Sequence, residues 1–338
     1  MAYQNVGTPI FYINVLEWLA STVTAIDPVY RTLPVIPTSF NQLGIATVPP
    51  ATMSDNVFVA VLGHRLNSDG AYFILQNSTN ENYIGFSNIV YWGASWYSVP
   101  EYDGFTIAKI DAAIDNNVKY IHQVDGLLGT STAGSIIIGT YYDMPHSPDL
   151  KLTMTREMDG VKRIRTKGGA DLVNHKYTKP PLWGDAAPWE LYSGTPTNQA
   201  LSRSGRRVWD LSFSYLQDSD VFPMLSSLNP YESVSDTGAV YSSATLGDDP
   251  TTDEVETDYV LTDETDWHDS NTLIDSNNFY SQVIHKTNGG QLPFIFQPDS
   301  NNNNPDQFAI CKFDMKSFKF DQVANGVYNV KLKIREVW

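Results

Sequence analysis

Apolar and polar residues alternate one for one near the end of the chain, where Val330, Leu332 and Ile334 interleave with Lys331, Lys333 and Arg335. A period of two places the apolar set on one side of a strand and the cations on the other. Just upstream, Asn325-Gly326 reads as a tight turn with both residues at positive φ, so 308–338 is predicted to be a hairpin. Before it, 291–298 reads as an aromatic strand and 276–290 as an amphipathic helix. Ser276 is its predicted cap, Phe279, Val283 and Lys286 fall on one side with Tyr280 and Ile284 beside them, and Gly289-Gly290 stops it.

The first half carries a different pattern. Short apolar runs at 57–62, 71–76, 83–92, 104–110, 119–124 and 135–142 are separated by turn-forming clusters such as Asn67-Ser68-Asp69-Gly70 and Asp115-Asn116-Asn117. That spacing predicts a β-sandwich. Asn14, followed by Val15, Leu16, Trp18 and Leu19, is placed to cap one short helix. Pro145-His146-Ser147-Pro148 then interrupts the strands, and a boundary is drawn there between residues 1–145 and 150–338. The expected fold is mainly β: an N-terminal β-sandwich, then a β-sandwich or split barrel with one packed α-helix.

Composition agrees with this pattern. The chain has 338 residues, enough for roughly two domains of about 100–200 residues, and its 19 Tyr, 15 Phe and 8 Trp against 18% charged residues favour pleated, half-buried surfaces. A net charge of −16 weighs against a sequence-reading nucleic-acid binder, which needs exposed cations to neutralise phosphate. No run approaches a membrane span of about 18 apolar residues, and no cationic export signal opens the chain, so a protein without a membrane span is expected. The single cysteine, Cys311, is read as a small buried apolar residue.

The charge is sharply divided. Basic residues outnumber acidic ones from 151 to 207, while 208–285 contains no Lys or Arg and sixteen Asp or Glu. Within the acidic part, 226–275 is poor in large aliphatic residues and reads as a long inserted loop.

Catalytic and metal chemistry find little support. The six histidines, at 64, 122, 146, 175, 268 and 285, flank no nucleophile elbow and show no metal-ligand spacing. Asp299-x-Asn301-x-Asn303 lacks the glycine and the later glutamate of a calcium loop and reads as a polar turn. Glu254 and Glu256 lie in the acidic loop, which offers carboxylates no fixed separation. No enzymatic activity, cofactor or metal is expected. Tyr91, Trp92, Trp96 and Tyr97 are the candidate partner-facing aromatics, suited to stacking on sugar rings or a protein partner.

The order of elements in the second half resembles the tube-joining domain of distal tail proteins from long-tailed bacteriophages, and the related lambda-type minor tail protein. The matching pieces are the basic, glycine-containing turn Lys162-Arg163-Ile164-Arg165-Thr166-Lys167-Gly168-Gly169, the alternating run 207–215, the helix 279–290 with its glycine pair, Phe294-Ile295-Phe296-Gln297-Pro298, and 308–338. The likeness covers roughly 150–338; the insertion 226–275 and the first 145 residues depart from it. It implies a structural virion protein, made in the host cytoplasm, with six copies forming a ring at the distal end of the tail tube. The partners it implies are further copies of the chain, the tail tube protein, and tail hub or fibre proteins. On that reading the interface candidates are Arg206, Arg207, Phe318, Phe320, Lys331, Lys333 and Arg335, and the N-terminal sandwich docks a partner. The alternatives are a carbohydrate- or receptor-binding tail protein and a tail-tube or decoration subunit.

Overall fold

A computed structural model describes residues 6–22, 28–33, 38–40, 42–44, 56–77, 88–89, 100–110, 118–124, 131–150, 153–158, 162–174, 183–184, 186, 188–194, 205–223 and 277–337. The predicted insertion 226–275, with Glu254 and Glu256, lies outside them, as do Ser276, Trp338 and the aromatics Tyr91, Trp92, Trp96 and Tyr97.

The fold is mainly β. In chain order the strands are β1 (Ile10–Asn14), β2 (Thr38–Phe40), β3 (Gln42–Gly44), β4 (Val57–His64), β5 (Tyr72–Asn77), β6 (Asn88–Ile89), β7 (Gly104–Ile110), β8 (Val118–Val124) and β9 (Ser131–Ala133). They continue with β10 (Ser135–Asp143), β11 (Thr153–Glu157), β12 (Lys162–Arg165), β13 (Asp171–Asn174), β14 (Arg206–Gln217), β15 (Phe294–Gln297), β16 (Ala309–Phe313), β17 (Phe320–Ala324) and β18 (Val327–Glu336). An eleven-stranded sheet runs β11-β14-β18-β16-β15-β1-β10-β4-β7-β6, with β17 also on β18.

The sheet does not divide at residue 145. Strand β1 pairs antiparallel with β10 on one side and with β15 on the other, joining elements that lie nearly 300 positions apart in the chain. Its residues alternate between two cores. Phe11 and Ile13 enter one with Trp209, Phe213, Phe294, Phe296, Leu332 and Ile334; Ile10 and Tyr12 enter the other with Phe58, Phe105, Ile107, Trp183, Trp189 and Phe308. A strand buried on both faces has no polar alternation, which is why this run of apolar residues serves at the centre of the sheet. At Gly139 of β10, a Cβ would run into the carbonyl oxygen of Ile13, so the two backbones approach this closely only because the position is glycine.

The proline segment is tied down and joins the sheet directly. Asp149 accepts hydrogen bonds from the hydroxyls of Ser212 (2.7 Å) and Ser214 (2.9 Å), its N–H donates to the Ser212 carbonyl, and the Ser147 hydroxyl donates to the Val6 carbonyl.

Local predictions meet mixed outcomes. Helix α1 (Val15–Thr22) starts where Asn14 Oδ1 accepts the Glu17 N–H at 3.1 Å. The closing helix is shorter than predicted: Tyr280–His285 is wound in the wide π repeat, and Asn278 Oδ1 accepts the Ser281 N–H at 2.8 Å. Phe279, Val283 and Ile284 press onto the first core, Lys286 is buried with its ammonium on Gln282 Oε1 (2.7 Å), and Gly289 and Gly290 end the segment at positive φ. In the last hairpin only Gly326 (φ 63°) occupies the left-handed region, so the expectation of two such residues holds for the glycine alone.

Buried titratable groups serve the cores. His64 accepts the Leu66 N–H at Nδ1 and pairs through Nε2 with the Thr106 hydroxyl, and burial holds its pKa down at about 3. Its neutral ring suits the fold, so its contribution is present above the unfolded pKa near 6.5 and is lost as pH falls toward 3. Cys311 is fully buried, and burial, with Glu336 nearby, pushes its thiol up.

Candidate functional site

The C-terminal alternation becomes a two-faced sheet. On β18, Tyr328, Val330, Leu332, Ile334 and Glu336 are buried, while Lys331 and Lys333 are exposed. On β14, Arg207, Trp209, Leu211 and Phe213 point inward. A bulge between Phe213 and Leu216 then inserts one residue, which returns Leu216 to the core. Tyr215 absorbs that insertion at φ 62°, with its side chain exposed and its N–H on Asn329 Oδ1.

The outer face is polar and laced with ion pairs. Lys333 meets Asp314 at 2.8 Å, Arg335 meets Glu157 at 2.7 Å across the sheet, and Lys319 meets Asp321 at 2.8 Å. The hydrogen bond to Asp314 is the main reason the Lys333 ammonium is held above its ordinary pKa. Exposed pairs of this kind contribute at most about 1 kcal/mol each, so their value lies in orientation.

Four strands form a unit in the order β11-β14-β18-β17. Strand β14 occupies one edge of β18, and β16 and β17 share the other, β17 near the Asn325-Gly326 turn and β16 at the far end. Among the described residues, β11 has β14 as its one ladder partner and β17 has β18. The unit therefore ends in two open edges on opposite sides, each five residues long. All the pairings are antiparallel, so β17 runs with β14 and β11 runs against it. The two edges are displaced toward opposite ends of the strands, and such a stagger is what a sheet needs in order to close on itself with tilted strands.

The predicted interface residues separate on this geometry. Lys331, Lys333 and Arg335 lie together on the outer face, as the alternation requires. Arg206 is half-buried at the start of β14, opposite Glu157. Phe318 and Phe320 are partly buried against the protein's own core, their rings 5.0 Å from Phe313 and 4.8 Å from Phe222.

Arg207 must be reassigned, because it is 3% exposed. Its guanidinium donates to both carboxylate oxygens of Glu336 (3.0 and 2.9 Å) and to the carbonyls of Asp306 and Phe308, and it lies over the Trp209 ring. It fastens the start of β14 to the end of β18. Sequence reading missed this because the partner is 129 positions away.

Two features carried no local signal: the open edge on β11, and the exposure of apolar Met154 and Val323 on the two edge strands. Asp299 accepts the N–H groups of Gly7 and Asn301, both at 2.9 Å, which makes the predicted polar turn a tether for the N-terminal segment. No group of potential metal ligands occurs among the described residues, and none of their helices is long and apolar enough to cross a membrane. Comparison with protein-family models, curated proteins and solved structures returns no match.

Proposed function

We propose that this chain is a structural subunit that closes into a ring through its sheet edges, and that the ring is the adaptor at the distal end of a phage tail tube. The observation that carries the ring is the pair of open edges on opposite sides of one four-stranded unit. Docking β17 of one copy on β11 of the next continues the sheet, with the two strands antiparallel, and closure leaves neither edge exposed. The assignment to a tail rests on the resemblance of 150–338 to distal tail proteins, and it makes the tail tube protein and tail hub or fibre proteins the further partners of a hexameric virion component. Main-chain pairing supplies the contact and requires no catalytic group.

Placing a charge on each edge tests the reading. Met154→Lys with Val323→Lys changes two exposed side chains, so folding stability should move by no more than about 0.5 kcal/mol, while a lysine on an open strand opposes pairing with another chain. Light scattering after size exclusion should show an assembly for the unmodified chain and a monomer for the double variant. A double variant that assembles like the parent would overturn edge pairing.

A further inference from the structure

The hairpin β12–β13 stands apart from both cores. Among the described residues its strands pair only with each other, through four residue pairs from Lys162↔Asn174 to Arg165↔Asp171. Its tip is well formed: the Thr166 N–H donates to the Ala170 carbonyl, the Ala170 N–H donates to the Thr166 hydroxyl, and Gly169 sits at φ 84°. Yet Ile164 is 61% exposed and Leu172 59%. These two are directly opposite one another in the ladder and so lie on the same face, leaving a cross-strand apolar pair facing outward.

A two-stranded hairpin without a third strand or a helix beneath it is at best marginally stable in water. An apolar pair on such a hairpin gains most of its stabilisation only when another surface covers it. Two features indicate which surface. The hairpin follows β11 in the chain, the strand whose open edge the ring reading gives to a neighbouring copy. It also carries Lys162, Arg163, Arg165 and Lys167 against Asp171 alone, a net of +3, in a chain whose net charge is −16. Another copy of this chain is thus the oppositely charged surface nearest to hand.

We infer that β12–β13 is an arm that lies across a second copy of the chain, with Ile164 and Leu172 as its apolar anchor and the basic residues setting its orientation. The identity of the occupant rests on the ring reading. The anchor makes a contact separate from main-chain pairing at β11, and each can be removed without the other.

A site-directed photo-cross-link tests this in the full chain. The native thiol, Cys311, is fully buried, so a maleimide-benzophenone will label an introduced cysteine selectively. With Leu172→Cys labelled in a mixture of two differently tagged chains, irradiation should give a covalent product carrying both tags. The exposed control Glu101→Cys should give none. Separately, Ile164→Asp with Leu172→Asp should weaken association at least tenfold and leave the melting temperature unchanged. Closed rings with no two-tag product from position 172 would overturn the arm and leave the ring reading standing. Two-tag product from chains that form no closed ring would keep the arm and remove the ring reading. A chain that stays monomeric would overturn both.

Discussion

Replacing Arg207 by Met should destabilise the folded chain by about 3–5 kcal/mol, the range for removing one partner of a buried ion pair. The loss is large because the Glu336 carboxyl would be left in the interior with its two guanidinium contacts gone, and the carbonyls of Asp306 and Phe308 would lose their donors as well. Glu336 also accepts the Arg207 N–H at 3.0 Å, so the backbone at the start of β14 would loosen with it. Adding Glu336→Leu should recover most of the loss, since a well-packed apolar pair replaces a buried ionic one at little or no cost. Urea denaturation of the two variants and the parent measures this. A single-variant loss below about 1 kcal/mol, the range of an exposed pair, would show that Arg207 faces solvent.

Phe11→Ala should cost a similar amount, about 3–5 kcal/mol, as truncating a fully buried aromatic ring does elsewhere. The Phe11 ring lies 5.2 Å from Phe296, 5.6 Å from Phe294, 5.7 Å from Phe279 and 6.0 Å from Phe313. All four neighbours come from the last sixty residues, although Phe11 belongs to a strand that also pairs with β10. Scanning calorimetry should therefore show one transition in the parent, and the substitution should shift all of it. Two transitions, only one of them moved by Phe11→Ala, would mean that the chain unfolds as the separate halves predicted at residue 145.

The sequence was legible where a structural fact has a local cause. Val57–His64, Gly104–Ile110 and Ser135–Asp143 lie within two residues of their predicted bounds, because apolar runs bracketed by turn residues specify strands without reference to the rest of the chain. Asn14 caps its helix as predicted, because capping needs only a side chain and a backbone N–H three residues on. The β18 alternation gave the outer cationic face residue by residue.

Long-range pairing was not legible. The short run at 10–13 precedes a helix and gives no hint that its strand will sit between β10 and β15, and a proline-rich segment looks like a boundary unless Asp149 is known to reach Ser212 and Ser214. Arg207 looked like a surface cation because two adjacent arginines carry no sign of which one faces a distant glutamate. Of the proposed assembly site, the polar face and the hairpin turn were readable. The open edges were not, since they depend on the order in which distant strands meet.

Electron microscopy of the purified full chain tests the ring most directly. Closed rings of six copies are expected, in which the β11-β14-β18-β17 units join into one continuous sheet, β17 of each copy against β11 of the next. Particles that remain single copies at every concentration, or assemblies whose contacts leave both of these edges open to solvent, would contradict it.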